Sequence, residues 1–161
     1  MKIRVGFGFD VHTLVENIPL VIGGLSVPHV KGSKGHSDAD TLIHAICDAL
    51  LGAANLGDIG QHFPDTSNEF KGIDSKILLK RTVVLVREQG FDISNIDSTV
   101  CLQRPKIKSF IPQMQTILSQ IIEISIEDIS IKATTTEKLG YVGREEGIAA
   151  YAVVMIVKNS A

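Results

Sequence analysis

From Ile3 to Val11 every second residue is apolar: Ile3, Val5, Phe7, Phe9 and Val11 alternate with Arg4, Gly6, Gly8, Asp10 and His12. A period of two is the mark of a half-buried strand, and it sends Asp10 and His12 to the same side. Pro19 to Ile22 and Leu25 to Val27 flank Gly23-Gly24, a pair suited to the positive-φ positions of a tight turn, so a small hairpin follows. The period then changes. Leu42, Ile46, Ala49, Leu50 and Ala53 form the apolar stripe of a helix running to about Ala54, with Asp40, His44 and Asp48 recurring every four residues on a neighbouring face. Ser37, three residues before Asp40, reads as a capping-box pair at that helix's start, and Asp38 adds negative charge to the first turn. A second helix is predicted over 74–89, stopped by Gly90. A third starts near Ser109 and carries Ile111, Met114, Leu118, Ile121 and Ile122. Runs of β-branched and apolar residues predict strands over 96–102, 129–134 and 147–157.

The order β, hairpin, α, α, β, α, β, β describes an α+β protein, a mixed sheet covered on one face by helices. Apolar periodicity continues from Ile3 to Val157 without repeat or linker, so residues 1–161 are expected to form one domain. The other face of the sheet has to be buried by something, and self-association is the simplest cover. With 44% hydrophobic residues in 161, there is enough apolar material for one core. Sixteen basic and 18 acidic residues leave a formal charge of -2 and no polycationic footprint, which disfavours a nucleic-acid partner. Cys47 and Cys101 lack metal-type spacing and fall in apolar segments, as suits a reducing cytoplasm. The start of the chain has no signal-type stretch and no segment is long enough to span a membrane, so a soluble protein is expected.

Candidate chemistry concentrates in a few segments. Asp10 and His12 can aim at one point, and helical His44 can join them. Two His and a carboxylate with a vacant fourth corner suit a catalytic zinc ion, while capping or satisfied polar groups at a strand end is the plainer reading. His36-Ser37-Asp38 sits at the predicted helix start, where free N–H groups favour a phosphate. Capping accounts for Ser37 and Asp38 but does not call for His36. Asp48, one turn beyond His44, suits a partner for that imidazole's second N–H, a substrate hydroxyl, or simply a helix surface. The run 56–65, rich in Gly, Asp and Pro, reads as either a mobile functional loop or a set of turns. Thr134-Thr135-Thr136-Glu137-Lys138 suits a diphosphate with Mg²⁺, although threonines alone also suit a strand.

Four stretches, GFDVH, HSDAD, HAICDALLGAANLGDIGQHFPD and KATTTEKLGYVGREEGIAA, resemble in order and spacing the motifs of the 2-C-methyl-D-erythritol 2,4-cyclodiphosphate synthases, and the resemblance runs from Met1 to about Lys158. It implies a metal-dependent phosphorus–oxygen lyase of the non-mevalonate isoprenoid pathway that converts 4-diphosphocytidyl-2-C-methyl-D-erythritol 2-phosphate to the cyclic diphosphate and CMP. It implies Zn²⁺ on Asp10, His12 and His44, and a second ion, Mg²⁺ or Mn²⁺, on Glu137. His36, Asp48 and Thr135 would be catalytic. Ser37 would meet the zinc-side phosphate, Asp58, Gly60 and Asp65 the methylerythritol portion, and Phe63 of the same loop the substrate. Pro105 and Lys106 would hold the cytidine, and Thr134, Thr135 and Thr136 the phosphates and nucleotide from a different subunit face. The family forms cytoplasmic homotrimers with sites between chains. Tyr141 and Arg144 match residues lining a central cavity, but Tyr151 stands where many members carry an acid, and Arg104 fills a position that is often small. Two other functions compete. A zinc-dependent nucleoside-diphosphate hydrolase would attack with water, and a non-catalytic diphosphate-binding trimer would leave its ligand unchanged.

Overall fold

The computed structural model describes residues 1–158. In chain order its strands and helices are β1 (Lys2–Glu16), β2 (Leu20–Ile22), β3 (Leu25–Val27), β4 (Lys31–Lys34), α1 (Thr41–Ala54), α2 (Ile59–His62), α3 (Ser75–Glu88), β5 (Asp92–Cys101), α4 (Ile111–Ile122), β6 (Ile129–Thr134), α5 (Gly140–Gly143) and β7 (Gly147–Lys158). Five strands form one sheet in the order β4-β1-β7-β5-β6, antiparallel except for the parallel pair β5 and β6. A parallel pair needs a crossover, and α4 provides it. The expected α+β fold with a mixed sheet is therefore present. Three elements escaped the sequence reading: β4, too short and polar to show alternation, and the single-turn helices α2 and α5.

The helices cover one face. Helix α1 packs on β1 and β7 and is buried almost all round, with α3 behind it. On β1 the face toward α1 is the one with glycines. A Cβ built on Gly6 would lie 1.9 Å from the Ala49 carbonyl oxygen, and one on Gly8 would lie 2.0 Å from that of Ala45. Helix and strand backbones thus touch with nothing between, which only glycine permits. The alternate face, carrying Ile3, Val5, Phe7, Phe9 and Val11, points away from the helices, and Val5 and Phe7 remain 65% and 63% exposed. Tyr151 of β7 joins that face, its ring centroid 5.1 Å from Phe9 and 6.3 Å from Phe7. An apolar strip of this size on a sheet face marks an interaction surface.

The β2–β3 hairpin forms as expected, with Gly23 at φ 60° and Gly24 at φ 76°. The start of α1 does not. Its N-cap is Asp40, not Ser37, and Asp38 lies ahead of the first turn. Ala39, at φ 56°, reverses the chain just before the helix. Asp40 wins because a carboxylate has two acceptor atoms. Oδ1 accepts from Ile43 N (3.0 Å) and Gly23 N (2.9 Å), while Oδ2 accepts from Gly24 N (2.6 Å), so one side chain caps α1 and pins the hairpin. Burial raises its pKa and the three N–H groups oppose that shift. Asp40→Ala strands two buried donors, Gly23 N and Ile43 N, at about 1–3 kcal/mol each, and a partly buried third, Gly24 N. We expect a stability loss of about 3 kcal/mol or more in urea unfolding, and a loss under about 1 kcal/mol would show that the carboxylate is not the clamp described.

Candidate metal centre and active-site cleft

Strand β1 runs antiparallel to α1, so successive inward residues meet earlier turns of the helix: Gly6 at Ala49, Gly8 at Ala45, then Asp10 at His44 and His12 at Thr41. Past the closest approach there is room for side chains, and these are polar. Asp10 Oδ2 lies 2.9 Å from His12 Nδ1 and 3.2 Å from His44 Nδ1. Each residue can offer one ligand atom, and all three atoms fall within 4.8 Å of one another, which fits a single cation. Sequence reasoning singled out these three, and the fold brings them together. Burial opposes ionisation of Asp10, but hydrogen bonds to His12 and His44 outweigh it and its pKa is lowered. Burial likewise opposes a charged His44, yet the Asp10 hydrogen bond and charge, with Asp40 and Asp38 behind, leave its pKa raised. Thiolate takes no part: burial pushes the Cys47 thiol up to about 12.

The triad opens into a cleft of about 610 Å³ lined also by His36, Ser37, Gly60, Phe63 and Asp65. Five of the expected substrate-side residues are thereby gathered around the three metal-type ligands. The run 56–65 is less irregular than its composition predicts. Asp58 caps α2 by accepting from Gln61 N at 3.0 Å, and His62 Nε2 donates to the Leu56 carbonyl at 2.8 Å. Asp48 Oδ1 accepts from Ile59 N at 3.1 Å, so this carboxylate anchors the loop. It is not the partner of His44. The second nitrogen of that ring meets Ser75 Oγ at 2.9 Å and Ser37 Oγ at 3.1 Å instead. Ser75 carried no sequence signal, since it sits 31 residues away at the start of another helix. His36 Nε2 is 2.9 Å from the Ser67 carbonyl. A carbonyl only accepts, so that nitrogen carries the proton, and His36 can donate to a phosphoryl oxygen through Nδ1 only as the imidazolium.

The remaining predicted residues lie elsewhere on the chain. Pro105, Lys106, Thr134 and Thr135 line a separate cleft of about 190 Å³ with Leu102 and Lys108. Glu137 stands beside it, exposed at φ 51°, its Oε1 accepting from Thr135 Oγ at 3.4 Å. Thr136 Oγ donates to the Leu139 carbonyl at 2.6 Å. Tyr141 shares a third depression with Cys101 and Tyr151. Arg144 pairs with Glu146 (Nε to Oε1, 2.9 Å), and Arg104 makes a two-pronged pair with Glu145 at 2.8 and 3.1 Å.

A family profile described as the YgbB family matches residues 3–157. The chain belongs to the YgbB family. Its YgbB relatives are close in sequence. It is 64% identical over 156 residues to the 2-C-methyl-D-erythritol 2,4-cyclodiphosphate synthase of Bacteroides fragilis, covering 97% of this chain and 98% of that protein. It is 63% identical over 159 residues to the synthase of the same name from Bacteroides thetaiotaomicron, covering 99% and 100%. Among solved structures, the bifunctional IspDF of Campylobacter jejuni superposes with a TM-score of 0.95 at 45% identity, over 99% of this chain and 43% of that one. A 2C-methyl-D-erythritol-2,4-cyclodiphosphate synthase in its CDP-bound form gives 0.89 at 34% identity, over 96% and 100%. The YgbB fold and the triad are thus found in a chain whose relatives carry the name of the cyclising synthase. Among the described residues no helix is long and apolar enough to cross a membrane.

Proposed function

We propose that this chain performs the reaction its relatives are named for, closing 4-diphosphocytidyl-2-C-methyl-D-erythritol 2-phosphate to 2-C-methyl-D-erythritol 2,4-cyclodiphosphate with release of CMP. The observation that carries the reading is the convergence of Asp10, His12 and His44 in the lining of one cleft of about 610 Å³, in a chain 64% identical to a named synthase. The 2-phosphate oxygen attacks the β-phosphorus, and the bond from that phosphorus to the CMP oxygen breaks. No protein nucleophile is needed, so the residues' work is positioning and charge neutralisation. A Zn²⁺ held by the triad supplies Lewis-acid stabilisation of phosphoryl charge. Ser37 and His36 line the phosphate side of the cleft, and the loop with Gly60, Phe63 and Asp65 closes over the methylerythritol portion. Glu137 is one carboxylate with hydroxyls beside it, and Mg²⁺ or Mn²⁺ commonly takes one or two carboxylates plus substrate phosphates.

The working unit we infer is a cytoplasmic homotrimer. Two features of the chain support the oligomer. The strip from Ile3 to Val11 with Tyr151 is apolar and uncovered, and the triad and the Thr134–Thr136 turn open into different clefts. A site assembled from the triad of one chain and the nucleotide cleft of its neighbour accounts for both. The test is incubation with the diphosphocytidyl substrate followed by phosphorus NMR. We expect a cyclic diphosphate and CMP, lost with a chelator and restored by zinc plus magnesium. Linear phosphate products would select a metal hydrolase, and a stable complex that releases no CMP would select a binding protein.

A further inference from the structure

Ser75 is a polar residue with no solvent exposure, and its hydroxyl bridges two groups of the site. Its Oγ donates to Asp38 Oδ1, and its backbone N–H donates to Asp38 Oδ2 at 3.0 Å. One residue therefore engages both oxygens of Asp38 and sets that carboxylate's orientation. An ionised carboxylate accepts only, so the single hydroxyl proton of Ser75 belongs to the Asp38 bond. What Ser75 turns toward His44 Nε2, 2.9 Å away, is a lone pair. That contact is attractive only when Nε2 carries a proton. Against a bare nitrogen it would set two lone pairs face to face.

The other hydroxyl near Nε2, Ser37 Oγ at 3.1 Å, accepts from Ala39 N and keeps a rotatable proton of its own, so it tolerates either tautomer. Ser75 does not. With the proton on Nε2, the lone pair of the neutral ring is on Nδ1, the atom lying 3.2 Å from Asp10 Oδ2 inside the triad. In the opposite tautomer Nδ1–H would donate to Asp10, and that proton would occupy the position a metal needs. Asp10 by itself favours this blocking form, because a carboxylate attracts the N–H.

We propose that Ser75, locked by Asp38, is a positioning residue that holds His44 in the tautomer leaving Nδ1 free to bind the metal. The inference rests on the reading of Asp10, His12 and His44 as metal ligands. Ligating histidines commonly donate their second N–H to an acceptor, and loss of that acceptor weakens metal binding by about 10- to 100-fold. Here the acceptor is a hydroxyl made one-directional by the carboxylate behind it.

Two measurements test it. In competition with a chromogenic chelator, Ser75→Ala is expected to bind zinc about 10- to 100-fold more weakly than the native chain. Ser75→Thr, which keeps the hydroxyl, restores most of the affinity. In the metal-free native protein at alkaline pH, long-range proton–nitrogen NMR is expected to find the His44 ring proton on Nε2. That measurement needs no variant and decides the matter even if Ser75→Ala fails to fold. A proton on Nδ1 in the native chain, or a folded Ser75→Ala with unchanged zinc affinity, overturns the role of Ser75 while leaving the metal site standing. A native chain that binds no zinc at all sinks the metal reading itself.

Discussion

Replacing His44 by alanine is expected to lower CMP release by at least a hundredfold while the chain remains folded. His44 is the helical member of the triad, and its Nδ1 and the Asp10 carboxylate define the corner where a cation would sit. Removing one of three ligands leaves two side chains, too few to hold an ion tightly in water. The phosphoryl charge that the ion would stabilise is then carried by solvent and by Ser37 and His36. A metal acting as Lewis acid contributes several kcal/mol to a transition state, and about 2.7 kcal/mol is already a hundredfold. The fold is expected to survive, because His44 lies at the cleft and the core around α1 is made by Leu42, Ile43, Ile46 and Leu50, which are untouched. Rate, bound zinc and thermal melting measured on the same sample make the check. A variant that keeps its rate without bound metal would remove the triad from the mechanism.

Gly8→Ala is expected to destabilise the protein by about 3 kcal/mol or more and to disturb the site from a distance. The added carbon would lie 2.0 Å from the Ala45 carbonyl oxygen and 2.7 Å from Ala49 N. Both are helix backbone, so no side chain can swing aside. Either α1 lifts from β1 or the strand bends. Overpacking of a tight interior costs about 1–3 kcal/mol when side chains absorb it, and rigid backbone leaves less relief. Ala45 is the neighbour of His44, so lifting the helix also pulls the imidazole from Asp10, and zinc affinity is expected to fall along with stability. The matched control is Gly52→Ala in the same helix, where an added carbon meets nothing within 4 Å. There we expect no loss, and a gain of up to about 1 kcal/mol from helix propensity. Denaturant midpoints for the two variants decide the point, and equal values would show that the helix and strand are not in backbone contact.

Much of the site was legible in the chain. The period of two in β1 put Asp10 and His12 on one side, and the period of four in α1 put His44 in line with Asp40 and Asp48 beside the apolar stripe, because side-chain direction follows backbone geometry alone. Gly23-Gly24 likewise announced the hairpin through a φ requirement that is local. The four motif stretches carried the family. The strand, helix and hairpin signals share one property: they depend on neighbours within about one turn of chain, while the family signal rests on the order and spacing of the stretches along the sequence.

Tertiary structure decided the rest. Strand alternation says that β1 has two faces but not which one meets the helices. The apolar face is the uncovered one, and the glycine face is packed, because close backbone contact leaves no hydrophobic side chain to announce it. Capping by Asp40 instead of Ser37 followed from two hairpin N–H groups 16 and 17 residues away. Ser75 became a partner of His44, and Asp38 a partner of Ser75, only when α3 docked beside α1. Periodicity is a short-range property of the chain, whereas a hydrogen bond between residues 31 apart exists only after packing has chosen which surfaces meet.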